Sequence, residues 1–333
     1  MGDSILDTGN NNYIVTMSKF NFPPYGKNFP GKIPTGRPSD GRLISDFVVE
    51  ILGIKYLLPS YLDPNLGVED LVTGVCFASA GSGYDRETPK ILVTTFYLYF
   101  LLFVSGALPV PYQLKLFKQY VKKLRTLVGE QRSDDIIKNS LYVISLGNND
   151  VGLTYFLRKK KSDMASYSSF LVSQASATLR QLYGLGVRNI VHLSTIVTGC
   201  VPASRTLFGG VRRQCNDESN ELAMMYNKKL SNEIERLNND VRLPNSSIVF
   251  VDVYYPLFNM IRYPENYGFA ITKKACCGTG TVEFGILCNP LAPTCTNISK
   301  YIFWDGVHPT EKTYKIIFSK IGKSVDKLLR KQL

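Results

Sequence analysis

Leu141-Tyr142-Val143-Ile144-Ser145-Leu146 runs without a break into Gly147-Asn148-Asn149-Asp150. An apolar, β-rich run that ends in a polar turn reads as a buried strand handing over to a loop. Comparable runs occur at Leu71–Ala78, Arg188–Ser194 and Ser247–Val253. Between and around them lie stretches with 3.6-residue apolar periodicity: Leu43–Leu52, Leu114–Val128, Ser168–Leu185, Ser219–Leu237 and Glu311–Leu329. Strands separated by helices long enough to cross back predict an α/β fold, a central parallel sheet with helices on both faces. Ligand sites in such sheets lie at the carboxyl ends of the strands. Asn149 and Gly81 both fall just after a predicted strand, where a site is expected.

The two ends of the chain carry the residues best suited to nucleophilic chemistry. Gly2-Asp3-Ser4 runs into Asp7-Thr8-Gly9-Asn10-Asn11-Asn12, and Asp305-Gly306-Val307-His308-Pro309 comes near the other end. A serine nucleophile needs a base that takes its proton near neutral pH. The chain has 2 histidines. His192 sits inside the apolar run Ile190-Val191-His192-Leu193 and reads as a buried structural residue. His308 is therefore the candidate base, and Ser4 the candidate nucleophile. Asp305, three residues before it, is placed to orient the imidazole. Pro309 biases His308 away from helical geometry, so a helix is expected to begin near Thr310-Glu311 and leave the imidazole on a loop. Leu6 stands where the Gly-x-Ser-x-Gly elbow of α/β-hydrolases requires its last glycine, which sets that fold aside.

Two internal blocks supply donors for a developing oxyanion. Cys76-Phe77-Ala78-Ser79-Ala80-Gly81-Ser82-Gly83 offers a backbone N–H on a residue with no side chain to obstruct a substrate, and Asn149 offers a side-chain amide. The backbone N–H of Ser4 is the third candidate. Gly83 competes with Gly81, and Asn148 and Asp150 read as turn and anchor residues. Asp3 and Asp7 read as organisers of the serine loop, and Asn10–Asn12 as a turn run.

These four blocks, in this order, resemble the GDSL esterases and lipases, or SGNH hydrolases, and in particular their large plant branch. Thr35-Gly36-Arg37 with Gly41-Arg42, Gly199-Cys200-Val201-Pro202, Asn227, Tyr267-Gly268-Phe269, Cys276-Cys277-Gly278-Thr279-Gly280 and Phe303-Trp304-Asp305 extend the resemblance over the whole chain. The resemblance implies a three-layer α/β/α, flavodoxin-like hydrolase in one domain spanning 1–333. It implies a Ser4-His308-Asp305 triad that hydrolyses a carboxylic ester through an acyl-enzyme, and an oxyanion hole from Ser4, Gly81 and Asn149. The resemblance also implies that Asn10–Asn12 brace the serine loop. The Ala-Ser-x-Gly spacing of the family favours Gly81 over Gly83. Cys76 stands where relatives often have asparagine. Family members carry a hydrophobic strand ahead of Gly-Asp-Ser, and here Met1 stands where that strand ends, so the first strand is expected to be missing from the sheet. The uncharged segment Ile91–Gln113 is longer and more apolar than its counterpart in relatives. It reads as an insertion: a lid-like cover, a monotopic anchor, a core element or translated intron.

Bulk properties narrow the class further. Hydrophobic content of 44% with 20% charged residues describes a globular chain. The net charge of +12 favours acidic partners such as an anionic lipid surface, touched peripherally. Arg158-Lys159-Lys160-Lys161 reads as a solvated helix flank, and no nucleic-acid motif accompanies it. Adjacent Cys276-Cys277 lacks zinc-ligand spacing, so oxidised pairing is expected instead of metal binding. The six cysteines from Cys200 onward can form three bridges and leave Cys76 free, with Cys200 and Cys215 closing a short loop. Bridges and the sequons Asn245-Ser-Ser and Asn297-Ile-Ser point to a secretory compartment. No metal or organic cofactor is expected, a monomer is expected, and the substrate is an acyl ester. Two rival functions share the scaffold: a non-catalytic secreted binding protein, and an acyltransferase to a sugar or polymer hydroxyl.

Overall fold

The computed structural model describes residues 1–90, 106–158 and 162–330. Its centre is a parallel sheet. Strand β1 (Leu141–Ile144) pairs with β2 (Asn189–Leu193), and β2 with β3 (Ser247–Val251), in register Ile144↔His192 and His192↔Phe250. Every residue of β2 is buried, as a central strand covered on both faces must be.

On the other edge of β1, Met1–Asp3 take up a strand position. The amino terminus donates to Val143 O at 3.0 Å, Ser145 N to Met1 O at 3.3 Å, and Asp3 N to Ser145 O at 2.9 Å. The position expected to be missing is thus occupied by the residues leading into Ser4. Beyond it, Ser79 N donates to Gly2 O at 3.0 Å, and Cys76 bridges to Ser60. The predicted strand Leu71–Ala78 is half helix. Val68–Thr73 forms α2, because the Asp70 carboxylate caps Gly67 N at 3.1 Å, and only the segment from Cys76 is extended.

The five stretches of helical periodicity are helices, and among the described residues four helices besides α2 lie outside them. They are α1 (Ile44–Ile51), α3 (Val110–Val128), α4 (Glu130–Asn139), α5 (Tyr155–Arg158), α6 (Met164–Gly184), α7 (Pro202–Phe208), α8 (Asp217–Asn238), α9 (Tyr254–Arg262) and α10 (Glu311–Arg330). Helix α6 packs on α8, α1 packs on α10, and β3 touches both α8 and α10, which closes the α/β/α layers. Of the anomalous segment 91–113, residues 91–105 lie outside the described residues. Val110–Gln113 form the first turn of α3, so that part is ordinary helix. Lys159–Lys161 of the basic cluster also lie outside them. Among the described residues no helix is long and apolar enough to cross a membrane.

A second, two-stranded parallel sheet lies near the C-terminus: β4 (Ile271–Ala275) with β5 (Tyr301–Phe303). Cys276–Cys295 and Cys277–Cys288 cross-link the loop between them, and Cys200–Cys215 closes a separate short loop. Cys76 is free and buried. The pairing therefore agrees with the expectation of three bridges.

Candidate active site

The serine loop is wired from beneath. Asp3 accepts Ile5 N at 3.1 Å and Asn148 Nδ2 at 2.9 Å. Asp7 accepts Gly9 N and Asn10 N at 2.9 Å, and Ala80 N at 2.8 Å. Asn10 donates to Cys76 O and Ala78 O, Asn11 to Ser18 O and Ala80 O, and Asn12 to Thr35 O. Cys76 Sγ reaches Leu6 O at 3.1 Å. These residues organise the loop: Asp3 and Asp7 as their sequence context predicted, and Asn10–Asn12 as the family resemblance implied. Burial pushes the carboxyls of Asp3 and Asp7 up, to about 7 and about 6, against the opposing pull of the N–H groups they accept. Ser4 is buried to 6% exposure in the middle of this loop.

The second and third blocks meet beside it. Asn149 Nδ2 donates to Ser82 O at 2.9 Å, which brings the amide against the Gly81 turn. An amide nitrogen carries two hydrogens, so one donor remains. Asn148 instead faces inward, donating to Asp3 and accepting Ile196 N at 2.9 Å. Asp150 accepts Tyr84 N, Asp85 N and Thr88 Oγ1, and anchors the loop. The two glycines also separate. A Cβ on Gly83 would fall 2.5 Å from Asp150 Oδ1, so Gly83 serves close packing. Gly81 has φ +88° and is half-buried. Among the described residues, no acceptor takes the backbone N–H of Ser4 or of Gly81.

The fourth block is a tight turn after β5. Trp304 N donates to His308 O at 2.8 Å, and Phe303 bridges to Pro309. Inside the turn Asp305 Oδ1 accepts Val307 N at 2.8 Å and His308 N at 2.7 Å. The imidazole Nδ1 lies 2.9 Å from Oδ1 and 2.8 Å from Oδ2. A carboxylate is an acceptor, so Nδ1 carries the hydrogen and Nε2 presents its lone pair. Burial alone would raise the Asp305 carboxyl; the charge of His308 in its protonated form and these hydrogen bonds outweigh it and hold the group below its ordinary value. The cross-linked loop steadies the turn from behind: Cys276 N donates to Phe303 O at 3.1 Å and Cys277 N to Trp304 O at 2.7 Å.

Two residues of the site were not singled out from sequence. Tyr25 OH donates to Asp305 Oδ2 at 2.7 Å, and Phe20 sets its edge against the His308 ring, centroids 5.3 Å apart. His192 is elsewhere. Its Nδ1 donates to Leu193 O, its Nε2 accepts from Tyr84 OH at 2.8 Å, and burial lowers it to about 4. It is the structural histidine its apolar context predicted. Among the described residues no cluster of three or more His, Cys, Asp or Glu side chains could hold a metal ion.

The sequence matches the family model of the GDSL-like lipases/acylhydrolases over residues 1–321. Similar curated proteins come from Arabidopsis thaliana. GDSL esterase/lipase At5g42170 is 47% identical over 98% of this chain and 85% of its own length. GDSL esterase/lipase At3g14820 is 44% identical over 96% of this chain and 87% of its own, and GDSL esterase/lipase EXL3 43% over 96% and 84%. With the family model covering nearly the whole chain and the α/β/α layers in place, this protein belongs to the GDSL lipase/acylhydrolase family.

Proposed function

We propose that this protein is a serine esterase, a single hydrolase domain spanning 1–333, which cleaves carboxylic esters with Ser4, His308 and Asp305. The observation that carries the reading is the Asp305 carboxylate, fully buried and 2.8 Å from His308 Nδ1, which commits the other ring nitrogen to act as a base. Nε2 takes the proton of Ser4 Oγ as that oxygen attacks the ester carbonyl carbon. The carbonyl oxygen becomes an oxyanion, and the N–H groups of Ser4 and Gly81 with the spare hydrogen of Asn149 Nδ2 donate to it. The bond to the alcohol oxygen then breaks, and that oxygen leaves with the proton from Nε2. Water repeats the sequence on the acyl-enzyme and releases the acid.

The two halves of this machinery are held by separate scaffolds. The serine loop hangs on the main sheet, and the Asp305–His308 turn hangs on β5 and its cross-linked neighbour loop. The three disulfides, together with the exposed sequon residues Asn245 and Asn297, support a secretory route. The test is hydrolysis of a short p-nitrophenyl ester by the wild type and by Ser4→Ala. Activity should vanish in a variant that melts at the wild-type temperature. Hydrolysis by Ser4→Ala at the wild-type rate would refute the assignment, and an inactive wild type would favour a binding protein on this scaffold.

A further inference from the structure

The acceptor sites of Asp305 are divided unevenly. Oδ1 holds the turn, taking Val307 N and His308 N. The imidazole Nδ1 lies 2.9 Å from Oδ1 and 2.8 Å from Oδ2, and among the described residues Oδ2 has one other partner: Tyr25 OH at 2.7 Å, from a residue 280 positions away. Tyr25 is itself closely packed. Its ring is 2% exposed and lies edge-on to Phe20 at 5.0 Å, Phe22 at 5.4 Å and Trp304 at 6.4 Å. Phe20 in turn packs against His308. We propose that Tyr25 is a positioning residue of the hydrolytic site, a buried phenol that fixes the Asp305 carboxylate plane and shares its charge with the imidazole. The proposal rests on the Ser4-His308-Asp305 reading.

The phenol can serve at every working pH, because burial first and Asp305 second hold it protonated far beyond the ordinary range. Its donation withdraws charge from Oδ2. Without it, Oδ2 loses a partner at a fully buried position, and its charge falls on the imidazolium alone. Protonated His308 is then favoured, so the base becomes harder to free. Among the described residues, the other ionisable groups that act on the pair are Asp3 from the serine loop, Glu283 from the segment packed behind Gly306, and Tyr314 from α10. None of them changes when Tyr25 is replaced.

The experiment compares the wild type, Tyr25→Phe and Phe22→Leu on a p-nitrophenyl ester from pH 5 to pH 9, with fluorophosphonate labelling of Ser4 to count competent sites. The first substitution keeps the ring packing and removes only the donor. Tyr25→Phe should label fully, should show kcat/KM about 10-fold lower, and should shift the acidic limb up by about 0.5–1 pH unit. Phe22→Leu loosens the same aromatic cluster without touching Asp305, and its acidic limb should stay at the wild-type pH. An unmoved limb and unchanged kcat/KM in Tyr25→Phe would overturn the proposal, as would an equal shift in Phe22→Leu, which would assign the effect to packing. A wild type that fails to label at Ser4 would remove the triad reading, and the Tyr25 proposal with it.

Discussion

Replacing Asp305 by asparagine isolates one function of the carboxylate, and the structure dictates how the amide must sit. Val307 N and His308 N both point at Oδ1, at 2.8 and 2.7 Å, so that position must be filled by the amide oxygen. The NH₂ then occupies the Oδ2 position, 2.8 Å from His308 Nδ1 and 2.7 Å from Tyr25 OH. The phenol can rotate its hydrogen and accept. The amide oxygen at the Oδ1 position lies 2.9 Å from Nδ1 but already takes the two backbone N–H groups, so the nearer NH₂ decides: the imidazole avoids opposing N–H to N–H by changing tautomer, with Nδ1 the acceptor and Nε2 carrying the hydrogen. In that state Nε2 cannot take the serine proton. The same change of tautomer in other Ser-His-Asp enzymes lowers kcat about 10⁴-fold, roughly 5 kcal/mol in the barrier, and a similar loss is expected here. Folding should be little affected, since the amide satisfies the turn. The assay is kcat/KM on a p-nitrophenyl ester together with the melting temperature of both proteins. A loss of less than about 10-fold with the fold intact would show that Asp305 does not set the tautomer, and the reasoning would fail.

Single contacts elsewhere in the structure give further expectations. Asn149→Ala should lower kcat by about 10²–10³ with a small change in KM, because it removes one oxyanion donor; kinetics of that variant check it, and an unchanged kcat would remove Asn149 from the site. Removing Cys277–Cys288 by paired serine substitutions should reduce stability by about 3 kcal/mol, measured by urea unfolding. It should also reduce activity, because Cys277 N steadies Trp304 O ahead of Asp305; full activity would contradict that bracing. Stability should decline as pH rises from about 4 to 7: burial raises Asp3 to about 7 and Asp7 and Asp150 to about 6 from 3.8, so in that window the native state holds protons the unfolded chain has lost. Asp40 and Glu283, also raised by burial, add to this, while His192, lowered to about 4, and the buried amino terminus, lowered from 8.0, oppose it. Melting temperatures across that range should show the decline, and Asp3→Asn should flatten it.

The layered fold was legible because its signals are local. The strands β1, β2 and β3 are continuous apolar runs, and α1, α3, α6, α8 and α10 show their buried stripe within a few residues of the predicted bounds. Leu71–Ala78 misled because two short apolar pieces adjoin: Leu71 packs from a helix capped at Gly67, and Cys76–Ala78 lies along the sheet. The pieces missed outright carry little pattern. Helix α4, Glu-Gln-Arg-Ser-Asp-Asp-Ile-Ile-Lys-Asn, has only two apolar residues, and β4 contains two lysines. The residues proposed for the site stand out in the sequence as types in order, since a serine, a histidine with an aspartate before it, a glycine and an asparagine each sit in a loop of distinctive composition. Their mutual support does not. Nothing local marks Tyr25 among 20 tyrosines as the one whose hydroxyl meets Asp305, or shows that Asn148 turns inward while Asn149 faces the Gly81 turn.

The central claim is that Ser4 is an activated nucleophile, and a fluorophosphonate probe tests it on the protein as it stands. After labelling at pH 8, digestion and peptide mapping should find the phosphonyl group on Ser4 at close to one per chain, and His308→Ala should label far more slowly. A folded protein that takes up no probe, or takes it up on another residue, would contradict the account.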